Sequence, residues 1–159
     1  MILTVRRPLA RLRARLQARG EQGSAVVEFV TLGVLMLVPL IYLVMTVARL
    51  QAGAYAASAA AREAGRAFVT ARSEDAAGPR ALAAAEIAFE DQGFGGGLGR
   101  LDLACDDRPC LRPEGRIDVV ATVTVPLPFV PAFARDLVPL EVPVTASHGA
   151  VVDRFRAQP

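Results

Sequence analysis

Residues 23–48, GSAVVEFVTLGVLMLVPLIYLVMTVA, decide the fold. Phe29 to Ala48 is a run of 20 residues without a charge. At about 1.5 Å per helical residue such a run spans roughly 30 Å, the thickness of a bilayer's hydrocarbon core. One carboxylate, Glu28, stands immediately before the run, and Gly23 lies five residues before that. Ahead of both is a leader, residues 1–23, carrying Arg6, Arg7, Arg11, Arg13, Arg15 and Arg19 against a single acid, Glu21.

The chain has 159 residues, enough for a membrane helix and one small domain. Hydrophobic residues make up 53% and mean hydropathy is +0.36, much of it due to the apolar run. All 18 basic residues are arginine, which excludes a phosphate-loop ATPase, a Schiff-base lysine or a Ser–Lys dyad. The net charge of +2 conceals an asymmetry: the leader carries +5, and the remaining 12 Arg and 15 acids give −3. Basic flanks stay on the cytoplasmic side, so the expected topology is a cytoplasmic amino terminus, one pass through the cell membrane and an extracytoplasmic carboxyl-terminal domain. Cys105 and Cys110 then lie where a disulfide persists, and their spacing suits a short cross-linked connection worth about 2 kcal/mol by loop entropy.

Val5, Leu9, Leu12 and Leu16 fall at helical spacing in the leader, which is either a basic amphipathic helix or a charged anchor that sets topology. The apolar run exceeds the 7–15 residues of a secretory signal, so a retained span is expected. Helical character continues beyond it: Arg49 to Thr70 has no proline and is dominated by alanine. A helix over residues 24–70 would reach about 70 Å, more than twice the hydrocarbon core, with a kink expected at Pro39. Gly53, Ala57, Ala61 and Gly65 recur every four residues, a small-residue stripe that would let another helix approach closely. Glu63 and Arg66 are placed to pair on the solvated side.

After Thr70 the composition changes. SEDAAGP (73–79) suggests a linker or turn, with Pro79 in the first turn of a second helix whose face carries Leu82, Ala85, Glu86 and Phe89 and which Gly93 ends. GFGGGLG (93–99) lacks the strand-to-helix context and register of a nucleotide loop, and a flexible connection is expected. Three alternating segments follow, around Leu101 and Leu103, Ile117 to Val125, and Leu140 to Ala146. Pro143 places its strand at a sheet edge. PLPFVPAFARDLVP (126–139) reads as a long proline-punctuated loop. So small an antiparallel sheet needs a helix to cover it, and the far half of the long helix is the natural cover.

Chemistry is sparse. His148 is the only histidine, and a lone histidine at a strand end is more often a surface residue than a catalyst. No G-x-S-x-G elbow occurs, two cysteines and one histidine are too few for structural zinc, and Asp106 with Asp107 offers too few oxygens for calcium. The expectation is a non-enzyme without metal or cofactor. No aromatic residue is interleaved with the leader arginines, which argues against nucleic acid.

Glu28 remains. A carboxylate at the edge of the hydrocarbon costs a few kcal/mol unless paired or hydrated, whereas a first-turn acid merely favoured by the helix dipole is the plainer reading. If the bond after Gly23 is cut, Ser24 supplies a positive amine four residues before Glu28, and the arginines holding the helix in place are lost.

The segment Gly23-Ser24-Ala25-Val26-Val27-Glu28-Phe29 followed by the apolar run resembles the prepilin-peptidase site of type IV pilin-like proteins. With the Ala/Gly-rich helix through Ala61 to Arg66, residues 21–70 look like the TadE-like pseudopilins of tight-adherence (Flp) pilus systems. The resemblance implies cleavage between Gly23 and Ser24 by an aspartyl prepilin peptidase, with Glu28 serving recognition or docking. Phe29, where major Flp pilins usually carry tyrosine, and the sizeable carboxyl-terminal domain favour a minor pseudopilin. The expected fold is α+β: leader 1–23, a long helix 24–72 with its membrane segment at 29–48, and an exported domain 73–159 built on a small antiparallel sheet. Expected partners are membrane lipid, the prepilin peptidase, other pilin or pseudopilin subunits and the pilus secretion machinery. The alternative is a single-pass membrane protein whose exported domain binds a ligand or partner.

Overall fold

The computed structural model describes residues 6–128 and 140–156, with side chains from residue 24 onwards. The arginine side chains of the leader, and most of the 126–139 loop, lie outside the described residues. The protein is α+β. Helix α1 runs Arg6–Val69, α2 Glu74–Asp91, and strands β1 Gly99–Cys105, β2 Arg116–Pro126 and β3 Glu141–Val151 form one antiparallel sheet in the order β1-β2-β3. The chain divides between Val44 and Met45 into two compact units.

In the first unit the helix continues through Pro39. From Val26 to Val44 its large apolar side chains stand exposed, Phe29 at 77% and Met36 at 66%. The most apolar 18-residue window of Ser24–Val69 has a mean hydropathy of 2.4, and none of it is buried. So much contiguous apolar surface is unfavourable in water and favourable in lipid. Among the described residues this is one helix long and apolar enough to cross a membrane, consistent with a single-pass anchor.

In the second unit, residues 45–69 of α1 cover the sheet. Ile117, Val119, Ala121, Val123 and Val125 of β2 are fully buried, matching the alternation of the sequence. Ala56, Ala57, Ala60, Ala61, Ala64 and Phe68 form the buried side of α1. The Gly53–Gly65 stripe therefore receives the chain's own sheet, where sequence spacing suggested a second helix. A Cβ on Gly53 would collide with the Val125 side chain, and one on Gly65 would lie 3.2 Å from Ala150 Cβ and 3.5 Å from Val119 Cγ2. From Gly53 to Gly65 is about 18 Å along a helix, and from Val125 to Val119 about 20 Å along a strand, so β2 runs antiparallel to α1 with its end beside Gly53.

Helix α2 begins at Glu74, five residues earlier than Pro79 suggested. Glu74 and Asp75 in the first turn suit the helix dipole, and Pro79 is carried inside the helix. Its buried face is Ala77, Ala81, Ala85, Ala88 and Phe89; of the face read from the sequence, Ala85 and Phe89 are buried while Leu82 is 53% exposed. Small residues win because they let α2 lie close to its neighbours, while a leucine there would hold it off. The glycine segment after α2 is a built cap where sequence suggested a flexible connection. Gly93, at φ 74°, donates to Glu90 O at 2.8 Å, and Phe94 N donates to Phe89 O at 2.9 Å. This is a Schellman motif, and it seats Phe94, fully buried, in the core.

Pro143 lies on β3, an edge strand, as its missing donor requires. Arg156, beyond β3, donates to Val69 O at 3.0 Å and to Ala71 O at 2.5 Å, satisfying the last carbonyl of α1 and one just beyond it.

Two glycines separate packing from propensity. Gly53→Leu should destabilise the folded domain by about 1–3 kcal/mol through overpacking against Val125. Gly78→Ala, in α2 with nothing within 4 Å of its Cβ position, should stabilise it by about 0.5–1 kcal/mol. Thermal unfolding of the full chain in detergent, followed by circular dichroism, checks both.

Candidate functional site

Gly23 and Ser24 lie within the continuous helix α1, and Ser24, Glu28 and Phe29 are exposed. Ser24 and Glu28 sit one turn apart on the same helical face, about 6 Å along the axis. Glu28 has no ion-pair partner among the described side chains. A helical peptide bond is a poor protease substrate, because its carbonyl is engaged and its backbone is not extended. Gly20 and Gly23 lower the cost of opening the helix there, by about 1 kcal/mol each relative to alanine. The arrangement can thus offer a locally openable bond, and after scission an amine within one turn of a carboxylate.

The remaining sequence-derived residues serve the fold. Gly53, Ala57, Ala61 and Gly65 lie against the sheet or in the core and are not displayed on the surface. His148 is on the inner face of β3, half-buried, with its Cδ2 3.3 Å from the Cβ position of Gly65, where the sequence suggested a surface residue. Among the described residues no three His, Cys, Asp or Glu side chains gather as a metal site.

Cys105 and Cys110 form a disulfide with Cα atoms 5.5 Å apart, closing the connection that leaves β1. Asp106 organises that loop. Its backbone N–H donates to Arg116 O at 3.0 Å, its Oδ1 accepts from Arg116 N at 3.1 Å, and its Oδ2 pairs with Arg112 Nη2 at 2.8 Å. Desolvation raises the Asp106 pKa, but the Arg116 backbone bond, the Arg112 charge and the Asp107 backbone bond outweigh it and hold the carboxyl below its ordinary value.

Sequence reasoning missed three arginines. Arg72, Arg112 and Arg156, with Ser73, Glu74, Pro109 and Leu111, line a cavity of about 280 Å³ at the junction of α1 and α2. Two of these guanidinium groups are already engaged, Arg112 by Asp106 and Arg156 by the carbonyls of Val69 and Ala71, so the cavity is held open by structural contacts. Arg49, the first charge after the apolar run, stacks over Phe94 with its Cζ 4.6 Å from the ring centroid and donates to Gly93 O at 3.5 Å. Its charge was legible; its partners, 44 and 45 residues away, were not.

The depressed Asp106 pKa has a sign. The folded state holds this proton more weakly than the unfolded state, so the stabilisation is complete above the ordinary carboxylate range and is lost as pH falls through the folded value, below about pH 4. Asp106→Asn should lower stability at neutral pH and flatten that acid limb, as measured by denaturant unfolding between pH 2 and 7 with the disulfide intact. Comparisons with protein-family models, with curated proteins and with solved structures give no match to this chain.

Proposed function

We propose that the chain is a minor pseudopilin that takes part in assembling a tight-adherence, Flp-type pilus after a prepilin peptidase removes residues 1–23. One observation carries the reading: the Gly23-Ser24 bond lies about one turn before Glu28 at the head of the apolar span, behind a leader of six arginines and one acid. The resemblance to TadE-like pseudopilins supports it, as does a helix that leaves its apolar run and becomes the core of a small α+β domain. The amino terminus is then cytoplasmic and the domain extracytoplasmic. The partners are the peptidase, other pilin or pseudopilin subunits and the secretion machinery.

In this role Gly23 leaves the scissile bond unhindered and easily unwound. Scission releases the arginines that fix the helix at the cytoplasmic face. The new Ser24 amine pairs with Glu28, on its own chain or on a neighbour, and the apolar helix then enters a bundle of like helices with its end charges matched. The role is structural, with no reaction catalysed by this chain and no cofactor.

Two experiments test it. Protein from native cells should begin at Ser24, and Gly23→Leu should leave it beginning at or near Met1, as read by intact mass. A wild-type chain that retains its leader where a prepilin peptidase is active would refute the assignment. Glu28→Ala and Glu28→Gln should both abolish piliation while protein levels and processing are checked in parallel, because truncating one member of a desolvated charge pair costs about 3–5 kcal/mol. Normal pili from both variants would instead favour a plain membrane anchor with an exported binding domain.

A further inference from the structure

Within the second unit, the end of α1, the start of α2, the connection closed by the Cys105–Cys110 disulfide and the segment beyond β3 meet at the cavity of about 280 Å³. Its walls are fastened to one another. Leu111 N donates to Glu74 Oε1 at 2.9 Å, tying the disulfide loop to the first turn of α2. Arg112 Nη2 holds Asp106 Oδ2 at 2.8 Å, and Arg156 is fixed through the carbonyls of Val69 and Ala71. A cavity with walls pinned in this way is preformed, so a ligand entering it does not have to order them.

Its charge is lopsided. Three guanidinium groups, Arg72, Arg112 and Arg156, stand against two carboxylates, Glu74 in the lining and Asp106 paired with Arg112. Glu74 is committed to a backbone amide, and among the described residues it forms no ion pair with any of the three arginines. Arg156 has neutral carbonyl partners, which orient its charge without cancelling it. Arg72 is exposed and has no carboxylate within ion-pair distance among the described residues. The Arg112 side chain is only 32% exposed, and its Nε is buried without a hydrogen-bond partner among those residues. A guanidinium withdrawn from water attracts an anion more strongly than one in bulk solvent. Most of the N–H donors stay uncommitted, since Arg156 gives one to each of two carbonyls and Arg112 gives one to Asp106. The Ser73 hydroxyl makes no cap bond to α2 and adds a further donor. Residues 157–159, Ala-Gln-Pro, bring no acidic side chain to quench the site.

We infer that this cavity binds the oxyanion group, phosphate or carboxylate, of a small molecule. Guanidinium groups match both oxyanions with paired N–H donors, and here they come from three separate segments of the chain. The volume lies at the small end of ligand sites, which suits a compact anion. A bound anion links the start of α2, the disulfide loop and the segment beyond β3, so binding stabilises the folded unit by mass action. The inference stands on the second unit alone and is independent of any role in a pilus.

The test titrates the full chain, disulfide intact and in detergent, with inorganic phosphate and separately with succinate, against sodium chloride of equal ionic strength. Isotope-labelled arginine reports the guanidinium Nε–H signals by NMR, and thermal unfolding is followed in parallel. Signals of Arg72, Arg112 and Arg156 should shift saturably and the thermal midpoint should rise, with no such response to chloride. Arg72→Ala removes a side chain without an ion pair among the described residues and should weaken binding about tenfold, the loss of a charge-assisted hydrogen bond. Arg80→Ala, exposed on α2 and outside the cavity lining, should leave the affinity unchanged. A response to phosphate alone marks a phosphate ligand and one to succinate alone a carboxylate ligand; either supports the inference. A response that does not saturate, one equalled by chloride, or an affinity that Arg72→Ala lowers no more than Arg80→Ala would overturn it.

Discussion

The fold of the second unit depends on how closely α1 approaches the sheet. Gly53 has no room for a Cβ under Val125, and Gly65 has barely enough under Ala150 and Val119. Glycine and alanine on the helix meet valine and isoleucine on β2, so the sheet supplies the bulk and the helix the hollow. That division explains how a helix face of alanine and glycine can bury one whole face of β2. It also limits the stability available, because an alanine side chain removes little apolar area from water, at about 25 cal/mol per Å². The domain compensates with tethers at its ends: the Cys105–Cys110 disulfide, Asp106 holding the β1–β2 loop, and Arg156 on the last carbonyl of α1.

Much of this was legible because it follows from period and punctuation. The alternation from Ile117 to Val125 gave the buried face of β2, Pro143 the edge, Gly93 the end of α2, and the cysteine spacing the disulfide. What was misread shares one cause. Small residues say that something approaches closely without saying what, so the Gly53–Gly65 stripe suggested a second helix when a sheet fills it. On α2 the sequence grouped Leu82 with Ala85 and Phe89, and the small residues Ala77 and Ala81 take the core beside these two while Leu82 is exposed. Phe94 was hidden by its glycine neighbours, because a run of glycines resembles a linker until a Schellman bond turns it toward the core. Of the candidate site, Gly23, Ser24 and Glu28 were visible as types and spacings. The contacts of Arg49 with Gly93 and Phe94 were not, since they join residues more than forty positions apart.

One helix serves two solvents, and side-chain volume marks the change. From Phe29 to Val47 the apolar residues are mainly Leu, Val, Met and Ile, and they stand exposed; from Ala52 to Ala64 they are mainly alanine, and the side facing the sheet is buried. Large exposed aliphatic side chains suit a fluid surround that needs no shape match. Alanine and glycine suit a fixed neighbour that does. Specific packing is therefore concentrated in the second unit, and the first unit offers a partner helix mainly a greasy surface and its terminal polar groups.

Those polar groups bracket the run, Glu28 before it and Arg49 after it, and in a bilayer they would set the register of the helix. Sliding by one turn toward either side would draw one charge into hydrocarbon, at a cost of about 2.5–3.5 kcal/mol at the centre and less near the edge. The two brackets are not equivalent. Arg49 is stacked on Phe94 and bonded to Gly93, so the folded unit holds it in place. Glu28 is exposed and unattached among the described side chains, so it can be neutralised by a new partner without disturbing the fold. A helix built this way is held firmly from the domain side and conditionally from the other. That asymmetry suits the proposed role, in which loss of the leader would change the helix from an anchored span into one that can dock.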